Sequence, residues 1–341
     1  MISGKKLMAG MLALSLLSGC GILGGDGEDK KSTPTLGKRT PILSGESGAE
    51  VDPALSAISV ILPAPVANAD WAQSGGNASK SMGHVALPGD LARVWTANIS
   101  GTNKRERLAS APVISGGRLF ATDTQATVHA FDAATGAKIW STQIDVKGDG
   151  ESSRFGGGAS VFDNVVYATN GVGDVVALNA ADGSQIWKVR PAGPLRGSPT
   201  ISNGNVYVMT QDNQIYALNM LDGSVQWNEA GTVGLAGIFG VAAPAAGQGT
   251  VVAGYSSGEL TAYRYENGRN LWNDALARTS ISTSVATLSD IDADPVIDRG
   301  RVFALGQGGR MAAYELVTGQ RIWELNIAGI ATPVVAGEWG F

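Results

Sequence analysis

The sequence predicts an all-β fold, a β-propeller of four-stranded antiparallel blades. Three observations carry this. The stretch 130–140 (AFDAATGAKIW) returns in altered form at 177–187, 217–227, 262–272 and 313–323. A second hairpin precedes the copies, as in Pro112-Val113-Ile114-Ser115, then Gly116-Gly117, then Arg118-Leu119-Phe120-Ala121-Thr122. The third is the period: Trp95, Trp140, Trp187, Trp227, Trp272 and Trp323 lie 40 to 51 residues apart. Four short strands in about 40–45 residues make one propeller blade. A single blade cannot bury both faces, so blades must stack. A β-sandwich with regular turns is the rival architecture, but it does not need so regular a repeat.

Each copy reads as strand, tight turn, strand. The pairs Thr135-Gly136, Asp182-Gly183, Asp222-Gly223, Asn267-Gly268 and Thr318-Gly319 are turn chemistry. Gly supplies the positive φ, and Asp or Asn bonds its own backbone. At 341 residues the chain exceeds an ordinary domain, yet repeats of this kind form one large domain. Abundant Gly and few charges suit a turn-rich β protein. A net charge of −5, with no Lys/Arg cluster on any repeat, argues against nucleic acid as a partner.

Residues 1–19 read as a signal peptide. Lys5-Lys6 is followed by an apolar run too short to span a bilayer, then by Leu17-Ser18-Gly19-Cys20. This resembles the bacterial lipoprotein signal, in which the Cys becomes the lipidated N-terminus. Cys20 is the single cysteine, so no disulfide can form within the monomer. Gly21 stands where, in such lipoproteins, an Asp favours retention at the inner membrane. The resemblance therefore implies an outer-membrane anchor facing the periplasm. Residues 20–56 form a polar, Gly/Ser/Pro-rich tether whose composition cannot offset ordering entropy. The propeller is expected over 57–341. Ile58-Ser59-Val60-Ile61-Leu62 reads as a strand that closes the ring against the last blade. Residues 71–79 leading to Val94-Trp95 read as an incomplete repeat with one hairpin and a final strand. Five full repeats follow, and residues 331–337 open another first strand. The chain stops at Phe341, inside that strand pair, which would leave unpaired edges. The expectation is about six blades and a fragment or truncated reading frame.

The search for reaction chemistry finds little. His84 and His129 are the two histidines, and His129 sits in a strand position that suits packing. No His/Cys/carboxylate cluster has metal spacing, and there is no nucleophile elbow or P-loop. Gly156-Gly157-Gly158 marks close backbone approach near the axis; no helix follows that would make it a phosphate cradle. Asp290, Asp292 and Asp294 alternate like half a calcium loop. However, Pro295 stands at the sixth position and Arg301 at the twelfth, where Gly and Glu are required. The run reads as a solvated loop or as a docking point for a basic partner.

The repeat Ala-x-Asp-x-x-Thr-Gly-x-x-x-Trp resembles that of propellers related to pyrroloquinoline-quinone enzymes. With the lipoprotein signal, the run Trp71-Ala72-Gln73-Ser74-Gly75-Gly76 and the run Leu288-Ser289-Asp290-Ile291-Asp292, the chain resembles the BamB family. These are lipoproteins of the outer-membrane β-barrel assembly machinery. The resemblance implies an eight-bladed propeller without enzymatic activity or cofactor. It implies docking on the POTRA domains of the central barrel protein, BamA, and assistance to unfolded outer-membrane proteins. The family's docking face uses two loops. Asp290 and Asp292 match the acidic pair of one. The other, a Leu-x-Leu-Arg segment, falls on Ala236-Gly237-Ile238-Phe239, where Phe239 replaces the Arg; Pro194-Leu195-Arg196 has the residue types one blade too early. Two rival classes remain. One is a generic periplasmic binding propeller. The other is a quinone-dependent dehydrogenase, which would bring an adjacent Cys pair where this chain has only Cys20.

Overall fold

The computed structural model describes residues 53, 57–101, 106, 108, 110–145, 154–195, 197–232, 242–276 and 290–341. Cys20, Ile238 and Phe239 lie outside the described residues. Twenty-two strands are present among those described, and they form five four-stranded antiparallel sheets plus one hairpin. Blade one is Val113–Ser115, Arg118–Thr122, Thr127–Asp132 and Lys138–Gln143 (β1–β4). Blade two is Ala159–Phe162, Val165–Thr169, Val175–Asn179 and Gln185–Val189 (β5–β8). Blade three is Thr200–Ser202, Asn205–Met209, Gln214–Asn219 and Val225–Ala230 (β9–β12). Blade four is Ala245–Gly247, Thr250–Gly254, Glu259–Arg264 and Asn270–Ala275 (β13–β16). Blade five is Val296–Asp298, Arg301–Gly306, Arg310–Glu315 and Arg321–Leu325 (β17–β20). The hairpin is Val335–Ala336 and Trp339–Gly340 (β21–β22). The five repeats expected from sequence are thus the five complete blades, and each is a simple up-and-down meander.

The repeat has a packing logic. In every blade the recurring Ala of the third strand lies opposite the Trp of the fourth: Ala130 with Trp140, Ala177 with Trp187, Ala217 with Trp227, Ala262 with Trp272, Ala313 with Trp323. A bulge follows that pair in all five sheets, raising the local twist. The indole then leans onto the next blade and donates Nε1–H to a backbone oxygen there, from Trp140 to Ala180, Trp187 to Met220, Trp227 to Tyr265 and Trp272 to Leu316, at 2.8–3.0 Å. Beneath the ring lies the turn glycine. A Cβ on Gly223 would stand 2.8 Å from Trp187, and its φ of +75° already favours glycine. Turn residues complete the unit: Asp132 Oδ1 accepts from the Ala134 and Thr135 amides and from Thr135 Oγ1.

Residues 57–101 depart from the expected incomplete repeat. They contain no strand, only isolated bridges such as Trp71 with Ile114. Residues 71–79 instead run along the inner edges of all five blades. The amides of Ile114 and Val161 donate to the oxygens of Trp71 and Ala72, the Ile201 amide to Gln73 Oε1, and those of Ala246 and Ile297 to the oxygens of Ala78 and Ser79. These five amides occupy equivalent places, the second pair of each first hairpin (Ile114 with Leu119, Val161 with Val166, Ile201 with Val206, Ala246 with Val251, Ile297 with Val302). The reason is satisfaction of hydrogen bonds: innermost strands have an unpaired edge, and this segment accepts from it. Trp95 makes the same contact without a strand, donating to the Ala133 oxygen and covering Gly136. Ile58-Ser59-Val60-Ile61-Leu62 forms no ladder, yet the Ile61 oxygen accepts from Trp339 Nε1 at 3.0 Å, which ties it to the β21–β22 hairpin.

Trp323 departs from the wedge that the other four blade tryptophans form. It is 36 % exposed, because no turn of a following sheet covers it among the described residues, whereas Trp140, Trp187, Trp227 and Trp272 are at most 9 % exposed. The glycine run behaves as expected: a Cβ on Gly158 would meet Ser110 Oγ at 2.2 Å and Ser198 Oγ at 2.3 Å. His129 is buried, stacked on Phe131, and bonded through Nε2 to Asp123 Oδ2 at 2.9 Å.

Candidate functional site

The acidic run sits between blades four and five. The Asp290 oxygen accepts from the Gln307 amide, just after β18, at 2.8 Å. The Ile291 amide donates to the Tyr255 oxygen, just after β14, and Ile291 packs on Gly254, where a Cβ would lie 2.4 Å away. The segment is therefore bonded to both blades and is not free to swing. Its alternation is real, but the two carboxylates named from sequence differ. Asp290 is fully buried, while Asp292 is half-buried. The expectation of an exposed, solvated pair is thus corrected for Asp290: the backbone hydrogen bonds on either side draw it inward. Asp292 is the less buried member, although its Oδ1 is shielded from solvent.

Asp294, the third beat of the same alternation, faces inward. It is 5 % exposed and accepts from Ser74 Oγ at 2.5 Å and from the Ala243 amide at 2.7 Å. Close to it lies Lys80, which is 4 % exposed and donates Nζ–H to Thr200 Oγ1 at 3.0 Å. Burial pushes the Lys80 ammonium down to about 8, against the opposing pull of the Asp294 charge. Gln73 adds a two-sided amide clasp on Ile201, accepting at Oε1 and donating from Nε2 to its oxygen. The sequence names Asp294, Gln73 and Ser74 only as members of longer runs and does not mark Lys80 at all. Their partners lie as many as 220 positions away, and no local period marks them.

Two strand ends, those of β12 and β16, share one cleft. Thr232, the last described residue before Ile238 and Phe239, and Ala275, at the end of β16 before the acidic run, both line a cleft of about 370 Å³, together with Ser257, Glu259, Asn273 and Asp274. Glu259 anchors it. Burial alone would raise its carboxyl, but hydrogen bonds from Thr232, Thr261 and Asn273 outweigh this and hold it below its usual range. Asp274 is paired with Arg321 across the blade four–blade five boundary, Nε to Oδ2 at 3.0 Å. Leu195 is excluded as a docking residue because it is fully buried and bridged to Thr210. Among the described residues no group of three or more His, Cys, Asp or Glu is arranged to hold a metal.

By sequence the chain is similar to several proteins that share a name. A Yersinia pestis protein named outer membrane protein assembly factor BamB is 30 % identical over 242 residues, 70 % of this chain and 62 % of the relative. A Vibrio cholerae protein of that name is 34 % identical over 245 residues, covering 72 % of this chain and 63 % of its own. The Salmonella typhimurium relative is 27 % identical across 98 % of this chain and 74 % of its own length. The chain thus spans a little under two thirds of the first two relatives. Among solved structures, BamB from Moraxella catarrhalis superposes with a TM-score of 0.57 at 21 % identity, covering 64 % of each chain. A quinohemoprotein alcohol dehydrogenase from Comamonas testosteroni gives 0.60 at 17 % identity over 76 % of this chain and 49 % of the other. Both likenesses establish the propeller fold. The family model described as outer membrane protein assembly factor BamB matches residues 82–153 and 126–341, taking in all five tryptophan-capped blades and the acidic run, and the chain therefore belongs to that family.

Proposed function

We propose that this protein is a non-catalytic scaffold lipoprotein of the β-barrel assembly machinery. In this reading Cys20 carries the lipid and holds the protein at the periplasmic face of the outer membrane. The propeller docks on the POTRA domains of the central barrel protein and aids assembly of outer-membrane β-barrel proteins. The observation that carries it is the family match through residues 126–341. Within this reading, Asp292 presents charge to a basic partner group, Asp290 braces the segment, and Ile238 and Phe239 offer the apolar half of the surface.

The docking test is a titration of the folded protein against the isolated POTRA region. Asp292→Ala combined with the near-isosteric Asp290→Asn is expected to weaken binding by about 2–5 kcal/mol, the cost of leaving a partner charge buried and unmatched. Circular dichroism checks that the blades persist. Equal affinities with unchanged spectra eliminate the acidic run and move the surface to Ile238-Phe239. Separately, Cys20→Ala should release the protein from membranes, since a cleaved lipoprotein holds on through its acyl chains alone. Retention of that variant in the membrane fraction of cells lacking the docking partner contradicts the anchor.

A further inference from the structure

The stretch 290–298 is held by different bodies along its length. Upstream, the Asp290 oxygen and the Ile291 amide are bonded to blades five and four. Downstream, the contacts come from the inner segment. Ser74 Oγ donates to Asp294 Oδ2 at 2.5 Å, the Ile297 amide donates to the Ser79 oxygen at 2.8 Å, and Ser81 Oγ donates to Asp298 Oδ1 at 2.8 Å. The inner segment therefore flanks the end of the acidic run through three successive contacts.

Asp294 is where these attachments meet. Its second oxygen, Oδ1, accepts from the Ala243 amide at 2.7 Å, just before blade four begins. The neighbouring Pro244 is fixed in a parallel way: Lys80 of the inner segment donates to Thr200 Oγ1, and that hydroxyl donates to the Pro244 oxygen at 2.6 Å. Asp294 also precedes Pro295, which disfavours helical backbone at the Asp and keeps the run extended. With each carboxylate oxygen bonded to a different element, the side chain has one orientation, and the extended backbone transmits it to Asp292 two residues upstream. Asp294 itself is 5 % exposed and cannot meet a docked partner.

We propose that Asp294 is the positioning residue of the acidic run. Clamped between Ser74 and the Ala243 amide, its carboxylate fixes how the run is presented to a docking partner. This rests on the docking reading of Asp290 and Asp292. The role differs from a direct charge contact, because an amide of the same shape keeps the clamp and loses the charge.

The test measures, on one set of variants, affinity for the isolated POTRA region and amide hydrogen exchange in the free protein. Asp294→Ala and Ser74→Ala are expected to weaken binding about three- to thirtyfold, the range for residues that act on a binding surface without touching the ligand. Both should speed exchange of the Ile291 and Gln307 amides, whose hydrogen bonds hold the run. Asp294→Asn keeps an acceptor for Ala243 and a polar group for Ser74, and should bind nearly as wild type does. Trp187→Ala, on blade two, is the control for lost stability and should also bind as wild type does. If Asp294→Ala does not fold, Ser74→Ala takes its place in every comparison. The proposal is overturned if wild type binds and Ser74→Ala matches it in either affinity or exchange. Asp294→Asn binding as weakly as Ser74→Ala would make the charge itself the determinant, and Trp187→Ala binding as weakly would make general destabilisation the cause; either overturns it. A wild type that does not bind, with exchange still faster in Ser74→Ala, defeats the docking reading and supports Asp294 as the residue that holds the run.

Discussion

Trp187→Ala is expected to cost about 3–5 kcal/mol of stability, the range for a large aromatic removed from a packed site. Trp187 is 9 % exposed, its ring centroid lies 5.9 Å from that of Tyr167, and Nε1 donates to the Met220 oxygen at 3.0 Å. The substitution opens a void between blades two and three and leaves that carbonyl without its donor. For a propeller of this size the melting temperature should fall by roughly 10 °C, at about 2–4 °C per kcal/mol. Gly223→Val attacks the same contact from the other side, through a clash and a strained φ, and should also lower it. Trp323→Ala is the internal control, with a small effect. A Trp187→Ala melting curve that overlays wild type would end the interpretation of these residues as inter-blade wedges.

Asp294→Ala should be comparably damaging at pH 7, by about 3–5 kcal/mol, because it strands a buried cation and two donors at once. The Ala243 amide and Ser74 Oγ lose their acceptor, and Lys80 loses the charge that favours its protonated form. The pH dependence follows. In wild type the buried Lys80 gives up its proton near pH 8, whereas the unfolded chain keeps it to 10.5. The unfolded state therefore binds more protons in that window, and the Lys80 contribution to stability rises with pH across it. Without Asp294 that titration shifts below 8, so the variant recovers more than wild type by pH 9. Denaturant melts at pH 7 and pH 9 should show a smaller loss at the higher pH, and Lys80→Met should remove the difference. An Asp294→Ala penalty that is the same at both pH values would mean that Lys80 and Asp294 are not coupled.

The blades were legible because each is a local object. The turn pair, the alternation and the terminal Trp all fall within about 15 residues, and the contacts that reward them repeat at one offset into the next copy. The inner segment was not legible for the opposite reason. Trp71, Ala72, Gln73, Ala78 and Ser79 each serve a different blade through backbone or amide atoms, and backbone bonding leaves no periodic side-chain trace. Asp290 shows the same limit. Alternating carboxylates ahead of a proline read as solvated, and only the Gln307 and Tyr255 hydrogen bonds, supplied by two different blades, reveal that one of them is turned inward. Trp323 was read correctly as a repeat position, yet its exposure depends on what stands over it rather than on its own sequence.

The inner segment also imposes an order of events. Its oxygens and side chains must wait for partners made much later, up to the 220 positions that separate Ser74 Oγ from the Asp294 carboxylate that accepts from it. As the chain emerges from its N-terminus, the first of these partners is present well before the last. During that interval blades one to four can close on each other as successive hairpins, since their contacts are sequential, while residues 71–81 have no complete set of ligands. The segment thus acts as a late latch. Closing so long a loop is entropically slow, and it can be completed only after blade five has formed. Refolding should accordingly show an early phase reporting blade formation and a slower one in which the Lys80–Asp294 neighbourhood becomes shielded from solvent.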